Sequence, residues 1–153
     1  MIARIFFSVN RSWSGRITIP ELRKSNFLAV LRLLEQEEDI NQITDFFSYE
    51  HFYVIYCKFW ELDKDHDLFI DREDLSRHND HGTRKRDRAP FPDLRMFQQN
   101  LFSAISTRMI DRIFSGAVTR GSNQREGKMS YTEFVWFLLA EEDKRHPTSI
   151  EYW

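Results

Sequence analysis

The chain has 153 residues, of which 41% are hydrophobic and 15% aromatic, and its formal net charge is −2. This length and apolar content are enough for one compact domain with a substantial core. The small net charge gives no electrostatic basis for binding nucleic acid or an anionic membrane. No apolar run is long enough to span a membrane or to act as a signal peptide, so we expect an intracellular protein, cytoplasmic or nuclear and not secreted.

The first predicted element is a loop near the N-terminus that has the outline of an EF-hand. It starts with residues 10–15 and closes with Glu21, and Thr18 is placed to cap the helix that this acid helps to open. The loop contains a single carboxylate, and Arg11 and Arg16 lie beside it. We therefore expect a degenerate hand that serves the architecture and does not hold calcium well.

Two helices are expected between this loop and the next. Residues 26–47 are predicted as a helix with leucines on one side, followed by an acidic run at residues 35–39. This run is interpreted as a solvated helix end, and the alternative is a docking site for basic partners. Phe52, Ile55, Phe59 and Leu62 then recur at helical spacing. This apolar stripe predicts a second helix that leads directly into the following loop.

Residues 63–74 carry the most informative pattern in the chain. Acids occupy the first, third, fifth, ninth and twelfth places and an apolar residue occupies the eighth, which is the layout of an EF-hand calcium loop. Carboxylates packed this closely repel one another unless a cation lies between them. The predicted metal ligands are Asp63, Asp65, Asp67, the backbone carbonyl of Phe69, Asp71 (directly or through a water) and Asp74.

Two places in this loop depart from the ideal pattern. The sixth place, normally glycine, is Leu68, and the left-handed backbone expected there costs a residue with a Cβ on the order of 1 kcal/mol or more. The twelfth place is Asp74 instead of glutamate, and its shorter side chain makes bidentate closure harder and favours magnesium. We expect a modest calcium site that also accepts magnesium. The alternative is an acidic turn between two helices that holds no metal.

The second half of the acid loop is repeated along the chain. Residues 16–22 and 128–134 align with residues 69–75, each with an apolar residue, a helix-capping residue and an acid three places later. The third loop, residues 122–133, is also poor in ligands and is predicted to be degenerate. The sequence thus predicts an all-α fold of EF-hand-like helix-loop-helix repeats, whose loops pair through short β steps.

The segment between the second and third repeats changes character. Residues 82–103 start basic and contain two prolines, which predicts a flexible surface insertion in a single domain that covers residues 1–153. A helix is predicted to resume over residues 104–118. The five histidines show no zinc-site spacing, and the chain contains no phosphate-binding glycine loop and no nucleophile elbow, so we expect a protein that is not an enzyme.

Several long, aromatic-rich strings of the chain resemble the B-double-prime regulatory subunits of protein phosphatase 2A. The resemblance covers nearly all of the chain except residues 82–103. The strings that carry it are residues 9–15, 21–25, 48–63, 112–121, 134–138 and 147–153.

This resemblance implies a non-catalytic subunit that binds the scaffold and catalytic chains of the phosphatase and selects protein substrates. It implies that calcium at the EF-hands tunes that assembly, and that residues 63–74 form the first functional hand of the family. In this family a second, stronger calcium loop follows the position of Trp153, the chain extends before Met1, and residues 82–103 are an insertion. We therefore expect a fragment or an alternatively spliced product.

The competing hypothesis is a free-standing EF-hand calcium sensor or buffer that binds a partner helix.

Overall fold

The computed structural model describes residues 1–78, 105–118 and 127–153. The chain divides into two compact units, Met1–Tyr53 and Val54–Trp153. Within the described ranges, no helix is long and apolar enough to cross a membrane. The predicted insertion at residues 82–103 lies outside the described residues, and the single domain over residues 1–153 stays a prediction.

The described elements are short helices and two very short strands, as expected for helix-loop-helix repeats. The helices are α1 (Ile2–Val9), α2 (Ile19–Lys24), α3 (Phe27–Leu34), α4 (Tyr49–Leu62), α5 (Arg72–Arg77), α6 (Thr107–Phe114), α7 (Tyr131–Glu142) and α8 (Pro147–Tyr152), and a 3₁₀ turn covers Ile40–Gln42. The strands are β1 (Phe69–Asp71) and β2 (Lys128–Ser130).

The three predicted repeats share one way of starting a helix. Thr18, Asp71 and Ser130 each accept a hydrogen bond from the backbone N–H three residues later, and the acid at that position accepts one from the backbone N–H of the cap. This reciprocal capping box satisfies two N–H groups that would otherwise lack a partner at the helix N-terminus. The repeat inferred from the sequence is therefore confirmed at the level of the backbone.

The sixth place of each loop has a left-handed backbone. Its φ is +73° at Gly15, +67° at Leu68 and +75° at Gly127. Glycine takes this conformation without a steric penalty, whereas Leu68 takes it with its Cβ present and with its side chain exposed to solvent. The sharp turn predicted at Leu68 is therefore confirmed.

The N-terminal unit has a small aromatic and aliphatic core. Val9, Val30 and Phe46 are buried, and the ring of Phe27 meets that of Phe46 edge to face at 5.3 Å. The prediction of one helix over residues 26–47 was wrong: α3 ends at Leu34, and the rest of the segment contains only the 3₁₀ turn at Ile40–Gln42. Four acids follow α3 within the next five residues, and negative charge at a helix C-terminus opposes the helix dipole.

In the C-terminal unit, the two strands join two helix-loop-helix repeats. They pair antiparallel with Ile70 opposite Met129, and both side chains are fully buried. The ring of Phe59 in α4 lies 5.5 Å from that of Phe134 in α7. Burial of such rings is the main stabilising term in a unit of this size.

Two further helices differ from the sequence prediction. In α4 the apolar stripe starts at Ile55, because Phe52 is 43% exposed. The helix predicted over residues 104–118 is shorter, since α6 starts after Ser106, whose side chain accepts a hydrogen bond from the N–H of Met109. Serine as N-cap fixes that helix start.

Candidate metal centre

The first half of the acid loop brings three carboxylates together. One carboxylate oxygen from each of Asp63, Asp65 and Asp67 lies within 4.8 Å of the other two. Among the described residues, these three acids form the group that could hold a metal ion. Asp63 is fully buried, Asp67 is half-buried and Asp65 is exposed. Three like charges at this spacing are unfavourable together and provide the hard oxygen donors that calcium and magnesium prefer.

Backbone N–H groups hold the buried carboxylate in place. One oxygen of Asp63 accepts from the N–H of Asp67 at 3.2 Å and the other accepts from the N–H of Leu68 at 3.1 Å. Asp67 in turn accepts from the N–H of Phe69 at 2.9 Å. These bonds fix the carboxylates of Asp63 and Asp67 within the loop, where their oxygens converge with that of Asp65.

The other predicted ligands are engaged by the helix that follows. Asp71 caps α5, and the carboxylate of Asp74 accepts from the N–H of Asp71 at 3.3 Å and from the guanidinium of Arg77 at 2.6 Å. Burial raises the pKa of Asp74 above its usual range. Neither residue belongs to the cluster formed by the first three acids. In this structure the two oxygens of Asp74 are therefore engaged by Asp71 and Arg77.

A cation from the third repeat lies against the cluster. The ammonium group of Lys128, in β2, forms an ion pair with Asp67, and the two side chains are 35% and 27% exposed. The hydrogen bond to Asp67 raises the pKa of Lys128, and the charges of Asp65 and Asp71 act in the same direction. Sequence reasoning did not assign this residue to the site. The repeat alignment placed Lys128 level with Phe69, but only the strand register brings it to Asp67.

The first loop contains an amide at the position where the acid loop has its first carboxylate. The Asn10 side chain is buried, and its Oδ1 accepts from the N–H of Gly15 at 3.0 Å. Its Nδ2 lies 2.9 Å from the carbonyl oxygen of Arg16, 3.2 Å from Ser12 Oγ and 3.2 Å from Glu21 Oε1. Because an N–H can only donate, Gly15 fixes Oδ1 on its own side and turns the amide hydrogens towards the other oxygens.

The centre of the first loop is therefore filled by a hydrogen-bond donor. The oxygens that surround it are those that would surround a cation in a functional hand, at the third, fifth, seventh and twelfth places. Hydrogen bonds from the N–H groups of Ser12 and Thr18 also lower the pKa of Glu21 to about 2. This arrangement agrees with the expectation that the first loop is degenerate, and it gives the physical reason.

These features are those of an EF-hand fold with one acid-rich loop and one loop whose centre is occupied by the Asn10 amide. An EF-hand domain family model matches residues 1–37, which contain the amide-filled loop. The match thus supports the EF-hand assignment at the repeat where the ligand pattern is weakest.

Comparison with known proteins gives a more specific similarity. It is 64% identical over 154 residues to the human B'' beta regulatory subunit of serine/threonine-protein phosphatase 2A, covering 100% of this chain and 23% of that protein. It is 46% identical over 153 residues to a probable B''epsilon regulatory subunit of Arabidopsis thaliana, covering 100% of this chain and 25% of that protein. A solved structure of a protein phosphatase 2A PR70 holoenzyme matches with a TM-score of 0.77 and 62% identity, over 99% of this chain and 47% of that chain.

Over its whole length, the chain is therefore similar to B'' regulatory subunits of protein phosphatase 2A. It spans about a quarter of the length of these two curated relatives and about half of the solved chain.

Proposed function

We propose that this chain is the calcium-binding part of a B''-type regulatory subunit, and that it directs the phosphatase core to protein substrates through protein contacts. The observation that carries the proposal is the match over the whole chain to subunits that are named regulatory, together with the fold shared with a PR70 holoenzyme. The partners are the scaffold and catalytic subunits of protein phosphatase 2A. The chain itself acts by binding and not by catalysis.

In this proposal the acid loop holds the metal. Asp63, Asp65 and Asp67 bind through carboxylate oxygens that already converge, and Phe69 contributes its carbonyl. Asp71 binds directly or through a water, and Asp74 closes the site. Calcium supplies the positive charge that relieves repulsion among these acids, and magnesium is the expected competitor.

The acid loop is also placed to transmit the effect of metal binding to the neighbouring helices. Its last residues form β1 and the first turn of α5, and β1 pairs with the strand that starts α7. A change in the position of Asp74 therefore acts on the start of α5, while β1 connects the loop to the third repeat. The resulting change in helix position is the means by which calcium would alter a protein-binding surface.

A pull-down with purified scaffold subunit tests this proposal. Tagged chain is incubated with scaffold in calcium and, separately, in a calcium chelator. We expect recovery of scaffold that depends on calcium in the wild type and loses that dependence in the Asp63→Ala variant. The matched control is Glu38→Ala, which removes an exposed acid outside the loop and should behave as wild type. Absence of scaffold in both buffers would contradict the partner assignment.

A further inference from the structure

Lys128, from the third repeat, lies beside the acid loop of the second repeat. Lys128 is paired with Asp71 across the two strands, and its ammonium group contacts Asp67, the fifth residue of the acid loop. Asp65 and Asp71 also attract the same ammonium group. A positive charge fixed to the partner strand therefore lies beside the carboxylates that are proposed to hold a divalent cation.

We propose that Lys128 competes within the molecule with the divalent cation for the carboxylate of Asp67, and that it thereby sets the calcium affinity of residues 63–74. The inference rests on the proposed function, because it requires this loop to bind calcium. It gives the third repeat a role in metal binding through one side chain.

Competition follows from charge. The Asp67 carboxylate that accepts a hydrogen bond from Lys128 is already partly neutralised, so it attracts a metal ion less strongly while the ion pair is in place. A lysine ammonium that stays near also repels a dication. The pair is only about one-third exposed, so solvent and salt screen it less than a pair on the open surface.

The same contact should stabilise the chain when it is free of metal. Asp63, Asp65 and Asp67 repel one another, and Lys128 cancels part of that repulsion. Removing its charge should therefore have opposite effects in the two states. The metal-free chain loses stability, and the metal-binding equilibrium becomes more favourable.

The test is calorimetric calcium titration of the full 153-residue chain as wild type and as three lysine variants. In Lys128→Met we expect the calcium Kd to fall by about fivefold, because the metal no longer competes with one partly exposed ion pair. Lys128→Arg keeps the charge and should stay within about threefold of wild type. Lys64→Met removes an equal charge from an exposed, non-ligand place in the same loop and should also change Kd by less than about threefold.

Thermal unfolding in a chelator provides a second readout that needs no metal. Lys128→Met should lower the Tm, and this lowering should shrink when Asp67 is already asparagine, since the two side chains act as a pair. Additive effects of the two substitutions would overturn the assignment of the contact.

The titration separates this inference from the proposed function. If the wild type binds calcium and Lys128→Met binds with the same Kd, the competitor role is wrong and the calcium site stands. A gain of equal size in Lys64→Met would also overturn it, because net charge alone would then explain the effect. If only Lys128→Met binds calcium, the competitor role is supported in its strongest form. If neither binds, both the site and the competitor role are refuted.

Discussion

The hydrogen bonds of the Asn10 side chain in the first loop predict how two substitutions at this residue change stability. In Asn10→Ala the loop loses the acceptor for the Gly15 N–H and the donor to the carbonyl of Arg16. In Asn10→Asp the acceptor remains, but a carboxylate oxygen replaces the donor and faces the carboxylate of Glu21. The first change should destabilise the N-terminal unit at any calcium concentration. The second should destabilise it only when no cation is present.

The expected size follows from the bonds that are lost. Each neutral hydrogen bond of a buried group contributes about 1 kcal/mol net, so the bonds to Gly15 and Arg16 together give about 2 kcal/mol. The carboxylate of Glu21 lies in contact with solvent, and water replaces the bond that it loses. Asn10→Ala should therefore lower the free energy of unfolding by about 2 kcal/mol.

Urea unfolding and hydrogen exchange of amides in residues 1–53 measure this change, each in calcium and in chelator. Asn26→Ala is the matched control in the same unit, because Asn26 is exposed and bonds at 3.1 Å to the exposed Asp45. The control should cost less than about 0.5 kcal/mol. A similarly small effect of Asn10→Ala, or full stability of Asn10→Asp in chelator, would refute the role given to the amide.

Three further predictions follow from other sites. Leu68→Gly should raise the free energy of unfolding, measured in urea titrations, by about 0.5–1 kcal/mol, because relief of the left-handed strain at φ +67° exceeds the entropic cost of glycine. No change would show that the turn is unstrained. Asp74→Glu should lower the calcium Kd by about tenfold and increase preference for calcium over magnesium in titrations, and an unchanged preference would argue against closure by this residue. Burial and the nearby Arg4 lower the pKa of His51 from 6.5 to about 4, so the unfolded chain takes up a proton more readily between these values and stability falls as pH drops through them. The loss should be roughly 2 kcal/mol, below the full value of the pKa shift because solvent screens a half-buried ring. It should be absent in His51→Gln, measured by urea unfolding at each pH, and equal slopes in both proteins would contradict it.

Local signals in the sequence were sufficient for the loops and helix starts. The spacing of acids in residues 63–74, the capping boxes and the sharp turn at Leu68 depend on neighbours within about a dozen residues, so a single repeat contains the information. The pairing of the strand steps followed from the repeat itself. Asp63, Asp65 and Asp67 do converge, whereas the binding of metal by the six-residue set stays a proposal.

Features that depend on the partner repeat or on solvent were not predictable in the same way. The pairing of Ile70 with Met129 brings Lys128 beside the acid loop, but the repeat alone does not show that its side chain extends to Asp67. The exposure of Phe52 likewise depends on which helix face meets a neighbour, and helical spacing alone does not show where the buried stripe starts. The orientation of the Asn10 amide is set by one N–H donor five residues away.

Calorimetric titration of the wild-type chain and of Asp63→Ala with calcium is the most direct measurement of metal binding at residues 63–74. Asp63 is the first residue of the loop and is fully buried, and its carboxylate is one of three that converge. We predict one weak-to-moderate site in the wild type, weakened by excess magnesium and absent in the variant. No heat from the wild type, or an unchanged site in Asp63→Ala, would contradict calcium binding by this loop.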